Sequence, residues 1–321
     1  MKKIITIICL TLLSFGAFAL PNLLSKEEYG AAALDNLDVS LSSENIIIQE
    51  NSDSSSIEVE TYCNYKRYAP EVSVSGSTLY IEAVKRVSGF VFDTTGYKCT
   101  VIVYVPAKKD FKDISISVSS GDIEIQHTLS AKSDITFSAS SGDITSEKGL
   151  FADNIKITAS SGDIDLYNVD ADDFKVDTSS GDIEIRKFTG GSGKVSSTSG
   201  DIKIDDFASE YADFKSTSGS ISVKKLDCDY FDAENTSGGI SLELENSPIA
   251  SSSASCSSGD IDIYMPMRAK FTIEASCTSG TFRDKFNNNR MNPRDHYKMD
   301  YNGGGSTIKL RTTSGDITLE Y

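Results

Sequence analysis

Five aspartates, Asp122, Asp143, Asp163, Asp182 and Asp201, each follow a glycine and recur at intervals of 19–21 residues. A carboxylate returning with that regularity has two chemistries open to it. It can accept the backbone N–H groups of a tight turn, or it can contribute to a column of divalent-cation ligands, for which calcium is the fitting ion. Stacked at strand spacing, neighbouring carboxylates would repel by roughly 0.8 kcal/mol per pair even at the dielectric of water. Hydrogen bonds or cations must offset that repulsion. Ser220, Gly239 and Thr281 take the aspartate's place in other copies, so the turn forms without the carboxylate. The nine-residue glycine/aspartate repeat of calcium-binding solenoids is absent.

Serine precedes the glycine in every copy, as in Ser120-Gly121, Ser141-Gly142, Ser161-Gly162 and Ser180-Gly181. By strand parity this serine is expected to point inward and satisfy backbone groups of the next turn, with the glycine supplying a positive φ for the bend. A second set of acids, Glu124, Asp165, Glu184 and Asp262, could imitate the aspartate clusters of polysaccharide lyases and hydrolases. Each falls on a repeated surface column, as solvation alone would place it. Neither His127 nor His296 sits in a catalytic or zinc-binding motif, and no nucleophile elbow or phosphate-binding loop occurs. The expectation is a protein that is not an enzyme, a carbohydrate-active β-helix enzyme being the alternative and a structural spacer the third reading.

The cysteines carry a separate chemistry. Cys256 and Cys277 each stand three residues before a repeat glycine, which would put them in one column on adjacent turns, within disulfide reach. Cys63 and Cys99 form a second candidate pair, leaving Cys228 over. Two small, buried, reduced thiols are the rival reading for each pair.

The elements that position these groups are set by the repeat itself. The glycines Gly121, Gly142, Gly162, Gly181, Gly200, Gly219, Gly238, Gly259, Gly280 and Gly315 mark it, the last step lengthening to 35 residues. Two residues after the glycine stands isoleucine, from Ile123 and Ile144 to Ile261 and Ile317, with Phe282 the exception. Apolar residues return at four and at seven or eight residues after, and at seven and five before. Each repeat thus supplies three short inward-facing segments joined by corners. The fold class expected is all-β: a single-stranded parallel β-solenoid, right-handed by the crossover rule, of roughly ten 19–21-residue turns with an N-terminal β cap. Outward positions before the corner are rich in Ser and Thr (Ser115/Ser117/Ser119, Thr136/Ser138/Ser140, Ser253/Ser255/Ser257). Lys156, Lys175, Lys194, Glu234 and Glu274 interrupt them, which suits a solvated face better than an ice- or glycan-binding ladder.

Four segments follow. Residues 1–19 read as a secretory signal peptide ending at Ala17-Phe18-Ala19, and residues 20–36 as a short helical segment opened by the capping box Ser25-Lys26-Glu27-Glu28. Residues 37–112 form a β region with two degenerate repeats, Ser42–Ile46 and Ser75–Leu79. Residues 113–321 hold the regular array, with an insertion at 283–305 that serves as a C-terminal cap or a binding loop. The chain carries 31 basic and 47 acidic residues, a net charge of −16 that becomes −18 once Lys2 and Lys3 leave with the signal. That field disfavours nucleic acid and anionic lipid and favours cations or cationic peptides. No segment after the signal is long and apolar enough to span a membrane, so the mature protein is expected in the periplasm or outside the cell.

Tyr104-Val105-Pro106, the serial Ser-Ser-Gly-Asp-Ile of residues 119–123, 140–144 and 179–183, Tyr264-Met265-Pro266, and the terminal Thr313-Ser314-Gly315-Asp316-Ile317 together carry a resemblance. From about residue 37 onward the chain resembles the bacterial putative-adhesin family of β-strand repeats, a domain of unknown function found in exported proteins. The resemblance implies the fold and export but offers no catalytic residues. It suggests an envelope interaction protein whose repeated faces bind a glycan, another envelope component or a cationic peptide.

Overall fold

The computed structural model describes residues 20–84, 96–291 and 296–321. The expected signal peptide, most of the expected loop at 89–96, and Arg294 and Asp295 of the insertion lie outside them. Among the described residues the chain is almost entirely strand, with two single-turn 3-10 helices at Ala31–Ala33 and Lys66–Tyr68.

The centre is a run of five long strands, Ile144–Ala159, Ile164–Thr178, Ile183–Ser197, Ile202–Ser216 and Ile221–Ser237. Each pairs in parallel with the next at one repeat's offset, Ile144 facing Ile164, then Ile183, Ile202 and Ile221. The three inward segments expected of each repeat are therefore bends within one strand, and only the Ser-Gly corner interrupts it. The isoleucine column is fully buried, with Phe282 continuing it. Side-chain volume is balanced within each turn: Val169 goes with Phe174, Phe188 with Gly193, Phe207 with Ala212, and Leu226 with Phe231. A Cβ at Gly193 would lie 2.3 Å from the Phe207 ring. That is why a glycine occupies an otherwise large inward position. The Phe174 ring stacks on Phe188 with centroids 4.8 Å apart, and Phe188 meets Phe207 tilted at 4.7 Å.

Both ends depart from simple sequential stacking. Asn36–Leu41 lies between Thr78–Glu82 and Asp110–Val118, and Asn45–Asn51 lies between Cys99–Pro106 and Ile123–Ile125. At the other end Ser306–Ser314 slots between Ser252–Ser258 and Phe271–Ser279, and Ile317–Glu320 between Ile261–Tyr264 and Phe282–Asp284. At each end the outermost turn is formed by an interior stretch of chain, and the stretch nearer the terminus lies beneath it: the preceding one at the N-terminal end and the following one at the C-terminal end. Antiparallel strands then cover the outer edges. Leu23–Gly30 pairs with Ser56–Cys63, which pairs with Cys99–Pro106, and Tyr297–Tyr301 pairs with Phe271–Ser279. Open strand edges invite further pairing, and these hairpins occupy them.

The helix expected within 20–36 does not form. Ser25-Lys26-Glu27-Glu28 belongs to the strand Leu23–Gly30, where Lys26 reaches across to Glu58 at 2.5 Å and Glu60 at 3.0 Å. Ladder hydrogen bonds to a waiting edge outweigh a local capping motif only a few residues long. The degenerate copy at Ser42–Ile46 is a true corner lying beneath Gly121. Ser75–Leu79 is instead a hairpin turn between Glu71–Ser75 and Thr78–Glu82, with Gly76 at φ 61°.

Candidate functional site

The corner aspartates form a ladder of hydrogen bonds. The backbone N–H of Asp143 donates to Asp122 Oδ1 (3.1 Å), Asp163 to Asp143 (2.9 Å), Asp182 to Asp163 (2.8 Å), Asp201 to Asp182 (2.8 Å) and Ser220 to Asp201 (2.8 Å). Asn45 Oδ1 plays the same part for Asp122 N–H at 3.1 Å, so an amide oxygen serves as well as a carboxylate. At the far end Asp260 accepts from Asp316, and Asp316 from Thr281, following the interleaved order. Donation from the Thr281 backbone and hydroxyl, helped by Arg283, holds the Asp316 carboxyl below its ordinary range.

Two expectations about the corner are corrected. Ser120, Ser141, Ser161 and Ser180 are exposed rather than inward, because the bend breaks the alternation that parity counting assumes. The buried hydroxyls lie two positions earlier: Thr178, Ser197 and Ser216 accept from the N–H of Gly181, Gly200 and Gly219 at 3.1, 2.8 and 3.0 Å. The glycines from Gly121 to Gly219 are required by close approach, not by positive φ. A Cβ at Gly142, Gly162 or Gly181 would sit 1.9 Å from the carbonyl oxygen of the glycine one turn below.

The second acidic set is not assembled. Asp165 and Glu184 are neighbours, and burial, helped by the Glu184 charge, raises the Asp165 carboxyl. Thr145 separates Glu124 from Asp165, while Lys203, Ser222 and Ser241 stand between Glu184 and Asp262. Among the described residues no group of three or more His, Cys, Asp or Glu side chains comes together to hold a metal.

Cys256 and Cys277 are not on adjacent turns. Thr312 faces both, which puts two strand spacings, about 9.6 Å, between them and beyond disulfide reach. The 35-residue final step hides the inserted turn from any count along the chain. Cys63 and Cys99 stand directly opposite each other across an antiparallel pair. All five described cysteines are buried and free in the structure. Burial, with an interaction from Cys63, pushes the Cys99 thiol far up, and burial pushes Cys228 to about 12 and Cys277 to about 11.

The described residues of the 283–305 insertion pair along the outer turn, Asn289–Met291 with Phe282–Asp284 and Tyr297–Tyr301 with Phe271–Ser279. Asp284 is buried at its base, accepting from the Asn287 N–H (3.2 Å) and side-chain amide (2.8 Å) and from the Tyr301 hydroxyl (2.9 Å). Tyr301 stacks on Phe271 with centroids 4.6 Å apart.

One surface escaped the reading of the sequence. The fifth and sixth residues after the glycine line a groove of about 770 Å³ crossing five successive turns. Five cations line it (Lys148, Arg186, Lys187, Lys224, Lys225) against two carboxylates, Asp205 and Asp206. Phe151 lies in its wall, its ring occupying the space that a Cβ on Gly149 would need. Tyr167 stands beside it, 54% exposed. A register irregularity between Ser146 and Gly149, with the Ser146 hydroxyl donating to the Lys148 carbonyl at 2.9 Å, turns Lys148 outward. Arg186 pairs with Glu184 at 3.3 Å and Lys224 with Asp205 at 2.7 Å. Lys148, Lys187 and Lys225 form no ion pair among the described residues. The signal was present in the sequence as basic residues at fixed offsets after Gly142, Gly181 and Gly219, hidden by an acidic net charge and by the intervening Asp205-Asp206.

Stacked parallel strands, hairpin-covered ends and a lateral groove define a β-repeat protein of elongated surface. The chain belongs to the Toastrack DUF4097 family, whose profile matches residues 34–203 and again 150–320. A comparison with curated proteins finds no match. Among solved structures the chain is similar to a putative adhesin from Parabacteroides merdae (13% identity, TM-score 0.42, covering 92% of this chain and 96% of that one). It is also similar to a putative lipid binding protein from Parabacteroides distasonis (15%, 0.41, 92% and 96%). A third is a putative cell adhesion protein from Clostridium sporogenes (10%, 0.21, 92% and 98%).

Proposed function

We propose that this is an exported, non-enzymatic interaction protein that binds a component of the bacterial envelope through the groove lined by Lys148, Lys187 and Lys225. The observation that carries the reading is a concave surface spanning five turns, with unpaired cations and an exposed tyrosine, on a chain whose net charge is −16. Cations kept free of ion pairs in so acidic a surface favour an anionic partner over a cationic peptide. Dispersal of Glu124, Asp165, Glu184 and Asp262 along the stack speaks against glycoside chemistry, which needs two carboxyl groups flanking one bond. The corner aspartates act as turn caps, each accepting the backbone N–H of the next turn through Oδ1. The repeats coil as a closed, right-handed solenoid, supported by the parallel registers and by the handedness of parallel crossovers.

The test is cosedimentation of the mature protein with washed envelope fragments of the source bacterium. The expected result is that wild type pellets with the envelopes and the Lys148/Lys187/Lys225→Ala variant stays in the supernatant. A variant that pellets like wild type overturns the assignment of the groove.

A further inference from the structure

The three unpaired groove lysines do not lie on consecutive turns. Lys148 follows Gly142, Lys187 follows Gly181 and Lys225 follows Gly219, with the turns of Gly162 and Gly200 between them. On those intervening turns the matching positions hold Asn168 and Asp206: Asn168 pairs in register with Gly149, next to Lys148, and Lys187 with Asp206. Parallel strands are spaced by about 4.8 Å, so the free cations recur at about 9.6 Å along the groove, with a neutral or acidic position between each pair. A ligand with one anionic group at each such interval satisfies the lysines. A ligand charged at half that interval would place a carboxylate against Asp206.

We infer that the groove binds a linear acidic polysaccharide with one anionic group on every second sugar ring, each pair of rings spanning two turns of the stack. This rests on the groove being the contact surface. The length of an extended disaccharide is comparable to two strand spacings, whereas an extended peptide repeats its side chains on one face at about 6.8 Å and falls out of step with the lysines. Tyr167, exposed on the groove wall and followed in register by Arg186, offers a flat apolar face to a sugar ring between two charged contacts. The open, elongated form of the groove suits a chain passing through it, and Asn168 presents an amide to ring hydroxyls. The stack direction fixes the polymer's axis, because the cations are aligned across strands and not along any one of them.

Binding of the full mature chain is measured by calorimetry against four probes: hyaluronan, in which a uronic acid alternates with a neutral sugar; polygalacturonate, charged on every ring; poly-glutamate; and phosphatidylglycerol vesicles. Hyaluronan is expected to bind at least about tenfold more tightly per charge than the other three, and Lys148/Lys187/Lys225→Ala to lose at least about tenfold of that affinity. Lys156/Lys175/Lys194→Ala, an equal charge change on the flat, solvated Ser/Thr face before the corner, is expected to retain it, and both variants to keep the wild-type circular dichroism. Tyr167→Ala should weaken hyaluronan binding without changing the salt dependence. Equal or tighter binding of polygalacturonate, poly-glutamate or vesicles overturns the inference, as does an equal loss in the flat-face variant. If envelopes still sediment the protein in a groove-dependent way while hyaluronan is not preferred, the ligand class is wrong and the groove assignment stands. If envelope binding ignores the groove, both fall.

Discussion

Gly162→Ala should loosen the stack at a single corner, by an amount the geometry allows to be worked out. The added Cβ would lie 1.9 Å from the Gly142 carbonyl oxygen and 2.5 Å from its carbon, against ordinary contacts of 3.4–4 Å. Both partners are backbone, so no side chain can swing aside. Relief requires the two turns to part locally by about 1.5 Å, roughly a third of a strand spacing. Three hydrogen bonds bracket the contact: Ser161 N–H to Ser140 O (3.1 Å), Asp163 N–H to Asp143 Oδ1 (2.9 Å) and Ile144 N–H to Asp163 O (2.9 Å). Lengthened by that amount, all three are lost, at about 1 kcal/mol net each. The smaller conformational entropy of unfolded alanine returns about 0.4–1 kcal/mol, leaving a loss of about 2–3 kcal/mol. Gly239→Ala is the internal control, since it lies one residue past a repeat glycine, in the aspartate's place, and its Cβ would meet only Asp260 O at 3.6 Å. It should change stability by no more than about 0.5 kcal/mol. Amide exchange followed by mass spectrometry reads the effect locally, which matters because long repeat arrays need not unfold in one step. Gly162→Ala should accelerate exchange in 140–144 and 160–164 while leaving the ends unchanged. If the two variants exchange alike, close approach is not what holds glycine at the corner.

Three further outcomes are expected. The triple change of Asp143, Asp163 and Asp182 to Asn should keep the melting temperature or raise it, since Asn45 already caps a turn through its amide oxygen; the same positions changed to Ala should lower it. Calcium should shift neither wild type nor variants, and a calcium-dependent rise in wild type that disappears in the Asn variant would make the column a cation site. In oxidising conditions Cys63 and Cys99, opposed in register, should form a disulfide visible as a mass two hydrogens lower. Closing that loop should add roughly 3–4 kcal/mol, and a melting temperature insensitive to reductant and to Cys63→Ser would refute it. Burial lowers the pKa of His127 from 6.5, outweighing Glu50 at 3.6 Å and a hydrogen bond to the Pro106 carbonyl. The unfolded chain therefore takes up the proton first, and stability should fall as pH drops through 6.5 and level off below the folded value. His127→Gln should flatten that slope in acid-titrated denaturation curves, and an unchanged slope would assign the titration elsewhere.

The sequence by itself determined the repeat, its inward columns and its glycines, because a strand's two-residue period writes burial directly into residue order. Ile123 through Ile261 could be placed in the core from spacing alone, and the aspartates at the corners between them. Parity failed at the corner, where the chain bends and Ser141 turns outward while Ser197 and Thr178 take up the buried hydrogen bonds. Local signals failed at the ends, where Ser25–Glu28 read as a helix start and pairing with a free strand edge prevailed. The stacking order was legible in the central run, where each turn pairs with the next, and not at the ends. Which turn lies beside which is decided by pairings tens of residues apart, so Thr312 slips between Cys256 and Cys277 although the chain places it after both. The groove belongs to the same class: Lys148, Lys187 and Lys225 are 38 or 39 residues apart in sequence and become one aligned surface only when the turns are stacked.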